Sequence, residues 1–297
     1  MADATAQILR TADDRTLCFA DWGPEDGYPV LALHGSPGSR LNRNRPKLLQ
    51  ALGGRLITYD RPGYGRSDRK PGRRAVDCVA DIEALANALG IGEFAVLGGS
   101  TGAPHALAVG ARLGGRLSRL GCFAPFAPLA ALGWTRWSRL QDKQTRRYLE
   151  MCRRGELPAM EFLSGIDAQK RAQAAPGTPR ETIVTEQTLN GVGGWVDDEL
   201  AVLSPWGFEP GEVAVPTAIW CNPRDTVTPL NHAEWLAAAI PGAVLVSSTN
   251  APGHARLEDP DAAWTGVYSW LLGADVAPQR IGPLRRLAIE MARRSRL

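Results

Sequence analysis

The chain has little of what would make it a disulfide-stapled, membrane-spanning or nucleic-acid-binding protein. Its five cysteines (Cys18, Cys78, Cys122, Cys152 and Cys221) are odd in number, far apart and without a CxxC pair, which argues against a disulfide framework and against a zinc site. Thiols used this way suit a reducing compartment. No run reaches the ~18 uninterrupted apolar residues of a spanning helix. The opening MADATAQILR carries neither a basic segment nor an apolar one, so a cytoplasmic protein with no stable membrane insertion is expected. One-signed charge is scarce too. Of the net +3, residues 275 to 297 alone supply +4, six arginines against Asp275 and Glu290. The body is close to neutral, and a nucleic-acid partner, which needs a basic face on the folded part, is not expected.

What is present is the balance of a globular protein: 297 residues, 44% hydrophobic and 22% charged, enough to bury a large core. QILRT and TLCFADW read as a hairpin around ADDR. The apolar runs PVLALHG, RLITYDRPG, EFAVLGG and SRLGCFAPF alternate with the helical stretches NRPKLLQALGG, 76–89 and 102–113. In the helix 76–89, Val79, Ile82, Leu85, Ala86 and Leu89 share one face. Continuously apolar strands between amphipathic helices predict a mostly parallel sheet covered on both faces. The alternation stops between about residues 127 and 210, where the pattern is helical and broken at RRGELP, AAPGTPR and NGVGGW. It resumes with PTAIWCNPRD, PLNHAEWLAAAI, AVLVSST and DPDAAWTGVYSWLLG. The expected organisation is an α/β core of residues 1–126 and 211–273, an inserted helical cap of 127–210, and a basic tail of 274–297. Leu284, Leu287, Ala288 and Met291 make that tail amphipathic, which suits a solvated or partner-packed helix better than a membrane surface.

The chemistry concentrates on one turn. In FAVLGGSTGAPH, Gly98, Ser100 and Gly102 form GxSxG between a strand and a helix, the context in which the motif marks an exposed nucleophile. A side chain at either glycine would collide with the neighbouring strand or helix, and the serine takes a strained backbone. A serine hydroxyl needs a base. With the chain order nucleophile, acid, histidine, His34 comes too early, His105 lies on the serine's own helix, and His232 falls inside a predicted helix. That leaves His254, in the loop TNAPGHARLEDP, with Asp225 of NPRDTVTP one strand earlier as its acid. Asp197, Asp198, Glu258 and Asp259 are less well placed, the first two in the cap and the others at a helix start. The backbone amides of Ser36 and Thr101 are the candidate oxyanion donors. The loop HGSPGS has neither GK[ST] nor GxGxxG, so it does not read as a phosphate cradle. His34 and Gly35 flank the expected pocket, His34 as a brace for this loop rather than a base.

The motifs HGSPGS, DRPGYGRSD, GGSTG, PRDTVTP and PGHARLEDP, in this order over residues 8 to 273, together resemble the α/β-hydrolase superfamily. The resemblance implies an eight-stranded sheet, a helical cap after the sixth strand, a Ser100–Asp225–His254 triad, and structural roles for Asp60 and Arg61. Serine at 100 disfavours the members whose nucleophile is aspartate. Gly99 and Thr101 replace larger residues that flank the serine in many relatives, which alters the pocket lining. The expected activity is cofactor-free hydrolysis of an ester, amide or lactone carbonyl in a small-molecule substrate. Phe126, Trp134, Trp137, Trp195 and Trp206, with Phe162 and Phe208, suggest an apolar or aromatic substrate; the same rings could instead bolt the cap to the core. The alternatives are a ligand-binding or non-hydrolytic member of the fold, a C–C hydrolase, or an iminopeptidase using Asp197, Asp198 or Glu199 for a free amine. A homodimer stays open.

Overall fold

The computed structural model describes residues 5–275; most of the basic tail lies outside them. Eight strands form one sheet: β1 (Gln7–Arg10), β2 (Thr16–Trp22), β3 (Tyr28–Leu33), β4 (Gly54–Tyr59), β5 (Phe94–Gly99), β6 (Leu117–Phe123), β7 (Thr217–Cys221) and β8 (Val244–Ser247). Their spatial order is β1-β2-β4-β3-β5-β6-β7-β8. The hairpin β1–β2 and the β2–β4 pair are antiparallel, and every later pairing is parallel. Parallel neighbours need crossovers, and the helices that supply them cover both faces.

On one face α2 (Cys78–Ala88), α3 (Gly102–Arg112) and α9 (Leu230–Ala239) bury Ile82, Leu85, Leu107, Val109 and Leu236 against Leu31, Ile57, Val96 and Ile219. On the other, α1 (Pro46–Ala51) and α10 (Pro260–Leu271) pack Leu49, Trp264, Val267 and Leu271 onto Val30, Leu56, Leu97 and Trp220. Each such side chain contributes roughly 1.5–3 kcal/mol by leaving water. The apolar face anticipated in residues 76–89 is the one that packs, although its first turn, Ala75–Asp77, is a 3₁₀ turn before α2 begins. Asp259 caps α10, its side chain accepting from the Ala262 amide at 3.0 Å. All five cysteines are buried and free. Among the described residues no helix is long and apolar enough to cross a membrane.

Between β6 and β7 the chain makes five helices: α4 (Leu129–Trp137), α5 (Lys143–Arg153), α6 (Glu156–Gln173), α7 (Pro179–Gln187) and α8 (Gly193–Leu203). This cap meets the core through apolar contacts, as of Tyr64 with Trp195 and Val196, and through a seam of charge. The core side offers arginines: Arg40, Arg61, Arg66, Arg69 and Arg73. The cap side offers carboxylates. Arg40 reaches Glu186 at 2.6 Å and Arg66 reaches it at 3.1 Å. Arg69 and Arg73 meet Asp197 at 2.8 and 3.1 Å. Arg73 also holds Asp198 at 2.6 Å, and Arg61 bonds the same carboxylate. At Gly63 and Gly194 the two backbones meet with no side chain between them, since a Cβ on Gly194 would strike the Gly63 carbonyl and one on Gly63 would lie 2.7 Å from the Gly194 Cα.

Candidate active site

The turn after β5 shows why its glycines are needed. Ser100 has φ of +53°, a left-handed conformation that costs a non-glycine residue about 1–3 kcal/mol. A Cβ on Gly98 would sit 2.5 Å from the Gly102 carbonyl oxygen and 2.6 Å from the Ala106 Cβ, and one on Gly102 would strike the Leu33 carbonyl. The sharp turn is thus held between β3 and α3. It lifts the Ser100 hydroxyl to the head of α3, where the helix dipole favours negative charge.

Three side chains meet there. The Ser100 Oγ lies 3.2 Å from His254 Nε2. The His254 Nδ1 lies 2.9 Å from Asp225 Oδ2. The Asp225 carboxylate also accepts from the amides of His254 (2.9 Å), Val227 (2.9 Å) and Thr228 (3.0 Å), so it is held by backbone on two loops. Burial resists its ionisation, but the hydrogen bond and charge of His254 with these amides outweigh burial and keep its pKa below the ordinary carboxylate value. β7 and β8 are adjacent and parallel, and their carboxyl ends deliver the acid and the imidazole to one rim.

The loop after β3 passes beside the serine: a Cβ on Gly35 would lie 3.2 Å from the Ser100 Cβ. Ser36, Ser100, Thr101 and His254 share one cavity of about 680 Å³. His34 braces this loop. Burial holds its pKa well below the usual value; Nε2 therefore accepts from the Arg61 amide (3.3 Å) and Nδ1 donates to the Gly35 carbonyl (2.7 Å). His105 lies beneath the turn, its Nδ1 2.8 Å from the Thr101 carbonyl and its Nε2 3.7 Å from Asp198. His232 accepts from the Ala127 amide at 3.1 Å and sits edge-on to Phe126 and Trp137. Burial pushes the pKa of each of these two down to about 4. Asp60 pairs with Arg40 at 2.6 Å, both fully buried, and Arg61 with Asp198, so both residues of the DRPG turn are structural.

The aromatic residues divide. Phe126 and Trp195 line the cavity, joined by Tyr148 and Phe162. Trp137, Trp134 and Trp206 do not, which corrects the expectation for these three. Trp137 is fully buried, stacked on Phe126 and bonded through Nε1 to the Ala127 carbonyl at 2.6 Å. Trp134 stacks behind it and carries Arg153 over its ring at 4.3 Å. Trp206 bonds the Val202 carbonyl at 3.0 Å and borders a separate groove with Phe208 and Trp235. Composition places a ring in the cap without saying which side of its helix meets the cavity. Tyr148, on α5, escaped notice for the same reason.

The acidic run at 197–199 divides as well. Asp197 and Asp198 belong to the arginine seam. Glu199 faces the cavity instead: Oε1 accepts from the Ser36 hydroxyl and, at 3.2 Å, from Trp195 Nε1. Its Oε2 is buried without a hydrogen-bond partner. Burial pushes its pKa up to about 7, against the hydrogen bond of Ser36 and with the repulsion of Asp198.

A doubly wound sheet, a serine on a strained strand-to-helix turn and an imidazole–carboxylate pair over it define the architecture of enzymes that expose a nucleophile at the carboxyl edge of a parallel sheet. Residues 28–260 match the family model described as alpha/beta hydrolase fold; the chain belongs to that family. Over 106 residues it is 37% identical to the proline iminopeptidase of Xanthomonas citri, covering 35% of this chain and 34% of that protein. Over 96 residues it is 38% identical to the non-heme chloroperoxidase of Streptomyces lividans, covering 32% and 35%. The chain thus matches about a third of the length of these curated relatives. The crystal structure of a hydrolase from Pseudomonas aeruginosa PA01 superposes with a TM-score of 0.68 at 21% identity, covering 91% of this chain and 99% of that one.

Proposed function

We propose that the chain is a serine hydrolase acting, without a cofactor, on the ester, amide or lactone carbonyl of a small substrate with an apolar or aromatic part. The observation that carries this reading is the continuous relay from Asp225 through His254 to Ser100, opening on the cavity walled by Phe126, Tyr148, Phe162 and Trp195. Ser100 Oγ attacks the carbonyl carbon while His254 Nε2 takes its proton. Asp225 orients the ring and stabilises the imidazolium without taking the proton. The amides of Ser36 and Thr101 hold the oxyanion. Collapse expels the leaving group, protonated by His254, and water, activated by the same imidazole, releases the acyl group from Ser100. The test is labelling with a fluorophosphonate together with hydrolysis of a 4-nitrophenyl ester series. One adduct at Ser100 is expected, with Ser100→Ala losing both label and turnover, the latter by about 10⁴-fold or more. A folded protein that neither labels nor hydrolyses any member of the series would favour a binding role.

A second reading, an aminopeptidase acting on a free amino terminus, is favoured by the buried, unpartnered Glu199 Oε2 beside Ser36, and by relatives named proline iminopeptidase. Asp197 and Asp198 do not contribute to it, because arginines occupy both. Turnover of proline 2-naphthylamide that disappears on N-acetylation of the substrate would support this reading; equal rates on both would exclude it.

A further inference from the structure

Two cations line the same cavity and are not needed by the relay. Arg147 comes from α5 and Lys170 from α6. Arg147 is exposed and Lys170 half-buried, so they stand on the solvent side of the cavity, whereas Glu199 is fully enclosed. Of the other cap cations Arg153 pairs with Glu150 at 3.2 Å and Arg171 with Asp167 at 2.8 Å; what sets Arg147 and Lys170 apart is that they are the two lysine or arginine side chains lining this cavity. Among the described residues neither Arg147 nor Lys170 forms an ion pair. Lys170 instead lies over the Trp195 ring, its Nζ 4.6 Å from the centroid, an attraction that holds the ammonium at the cavity wall.

The nearby carboxylates make other contacts, and of them only Glu199 keeps a buried oxygen without a partner. Asp167 holds Arg171 and the Thr188 hydroxyl. Asp142, which also lines the cavity, accepts from the amide and hydroxyl of Thr145 and the hydroxyl of Thr226. Glu199 bonds Ser36 and Trp195 at the inner end. Burial draws the Lys170 pKa down, against the pull of Asp167 and Glu199, as expected of an ammonium that has lost water without gaining a full partner.

We propose that Lys170 and Arg147 form a subsite for an anionic group, so that the preferred substrates carry a carboxylate at the end of the apolar stem remote from the reacting carbonyl. Gln144, Thr145 and Gln169, which line the same stretch, supply neutral hydrogen-bonding groups around it. The cavity is then polarised, with a carboxyl group beside the oxyanion loop and cations at the mouth. An anionic substrate enters carbonyl first, because its charge is held by Lys170 and Arg147. The substrate class rests on the hydrolase reading, whereas the anion subsite itself does not.

The test is calorimetric titration of the full-length protein with 4-phenylbutyrate and with its neutral isostere 4-phenylbutanamide. The acid is expected to bind about tenfold more tightly, the order of a charge-assisted contact at a half-buried site. Lys170→Gln brings the ratio towards one, Lys170→Arg keeps it, and Arg147→Gln, at an exposed position that cannot threaten the fold, lowers it by a smaller factor. An acid that binds no more tightly than the amide, or a preference that survives the double replacement by glutamine, overturns the proposal. Hydrolysis of mono(4-nitrophenyl) adipate against its methyl ester extends the comparison to turnover. Acid preference in calorimetry without fluorophosphonate labelling of Ser100 would remove the hydrolase reading and leave the subsite. Labelling without acid preference would do the reverse.

Discussion

Asp198 and Glu199 are consecutive, both buried, and stand in opposite electrostatic worlds. Asp198 points into the seam between cap and core, where Arg61, Arg73 and His105 overcome its burial and hold its pKa far below the carboxylate range. Glu199 points into the cavity, where burial prevails and its pKa rises to about 7. One turn of α8 thus serves two regions, a seam that uses charge for cohesion and a pocket that keeps a carboxyl group poised between its two protonation states. The lesson is that burial alone does not set the behaviour of an acid. The cations within reach decide it.

The most disruptive way to break this comparison is Asp198→Ala. It leaves Arg61 buried without a counter-charge and Arg73 with Asp197 alone, and a loss of about 3–5 kcal/mol in urea unfolding is expected; a loss below 1 kcal/mol would mean that the seam does not bind cap to core. Next comes the pH dependence of stability. Glu199 has a raised pKa in the folded state, so its contribution is fully present below about pH 4.5, falls between pH 4.5 and about 7, and is then constant; the span corresponds to about 3 kcal/mol. Asp198, with a depressed pKa, contributes above pH 4 and is lost as the pH falls below it. Unfolding of Glu199→Gln measured across pH 2 to 8 should lack the first slope and keep the second. If the two slopes are unchanged, the assignment to Glu199 fails. Gly194→Ala, which forces backbone apart at Gly63, should cost about 1–3 kcal/mol, measurable as a lower midpoint with an unchanged m-value. The mildest probe is Arg66→Gln, at the solvent-open end of the seam, where less than about 1 kcal/mol is expected; a loss as large as that of Asp198→Ala would show that the seam's edge matters as much as its buried middle.

The legible parts of the sequence were those governed by short-range geometry. Gly98 and Gly102 stood out as a five-residue motif between a strand and a helix, although the carbonyl that Gly102 spares belongs to Leu33 of β3, and the alternation of strands and helices pointed to the sheet. His254 and Asp225 could be proposed because each follows a strand directly, so the sheet itself determines where their loops emerge. The seam was not legible in the same way. Arg61 and Asp198 are 137 residues apart, and no local pattern couples them, although five arginines in RPGYGRSDRKPGRR were an unread hint that a carboxylate-rich surface would cover that loop. Trp134, Trp137 and Trp206 were misjudged because the helices of the cap follow one another irregularly, so their inner faces are defined only once packed. Lys170 was invisible for a different reason: a lone lysine on an amphipathic helix looks like any solvated side chain until its missing partner can be seen.

The glycine-on-glycine contact between Gly63 and Gly194, ringed by arginines on one side and carboxylates on the other, makes the insertion a keyed part. A cap transplanted from another protein would have to bring acids at the positions of Asp197 and Asp198 and bare backbone at Gly194, or Arg61 and Arg73 would be left stranded. Exchange of pockets by recombination is therefore restricted to donors that reproduce this lock, while the cavity-facing side of α5 and α6 stays free to diversify.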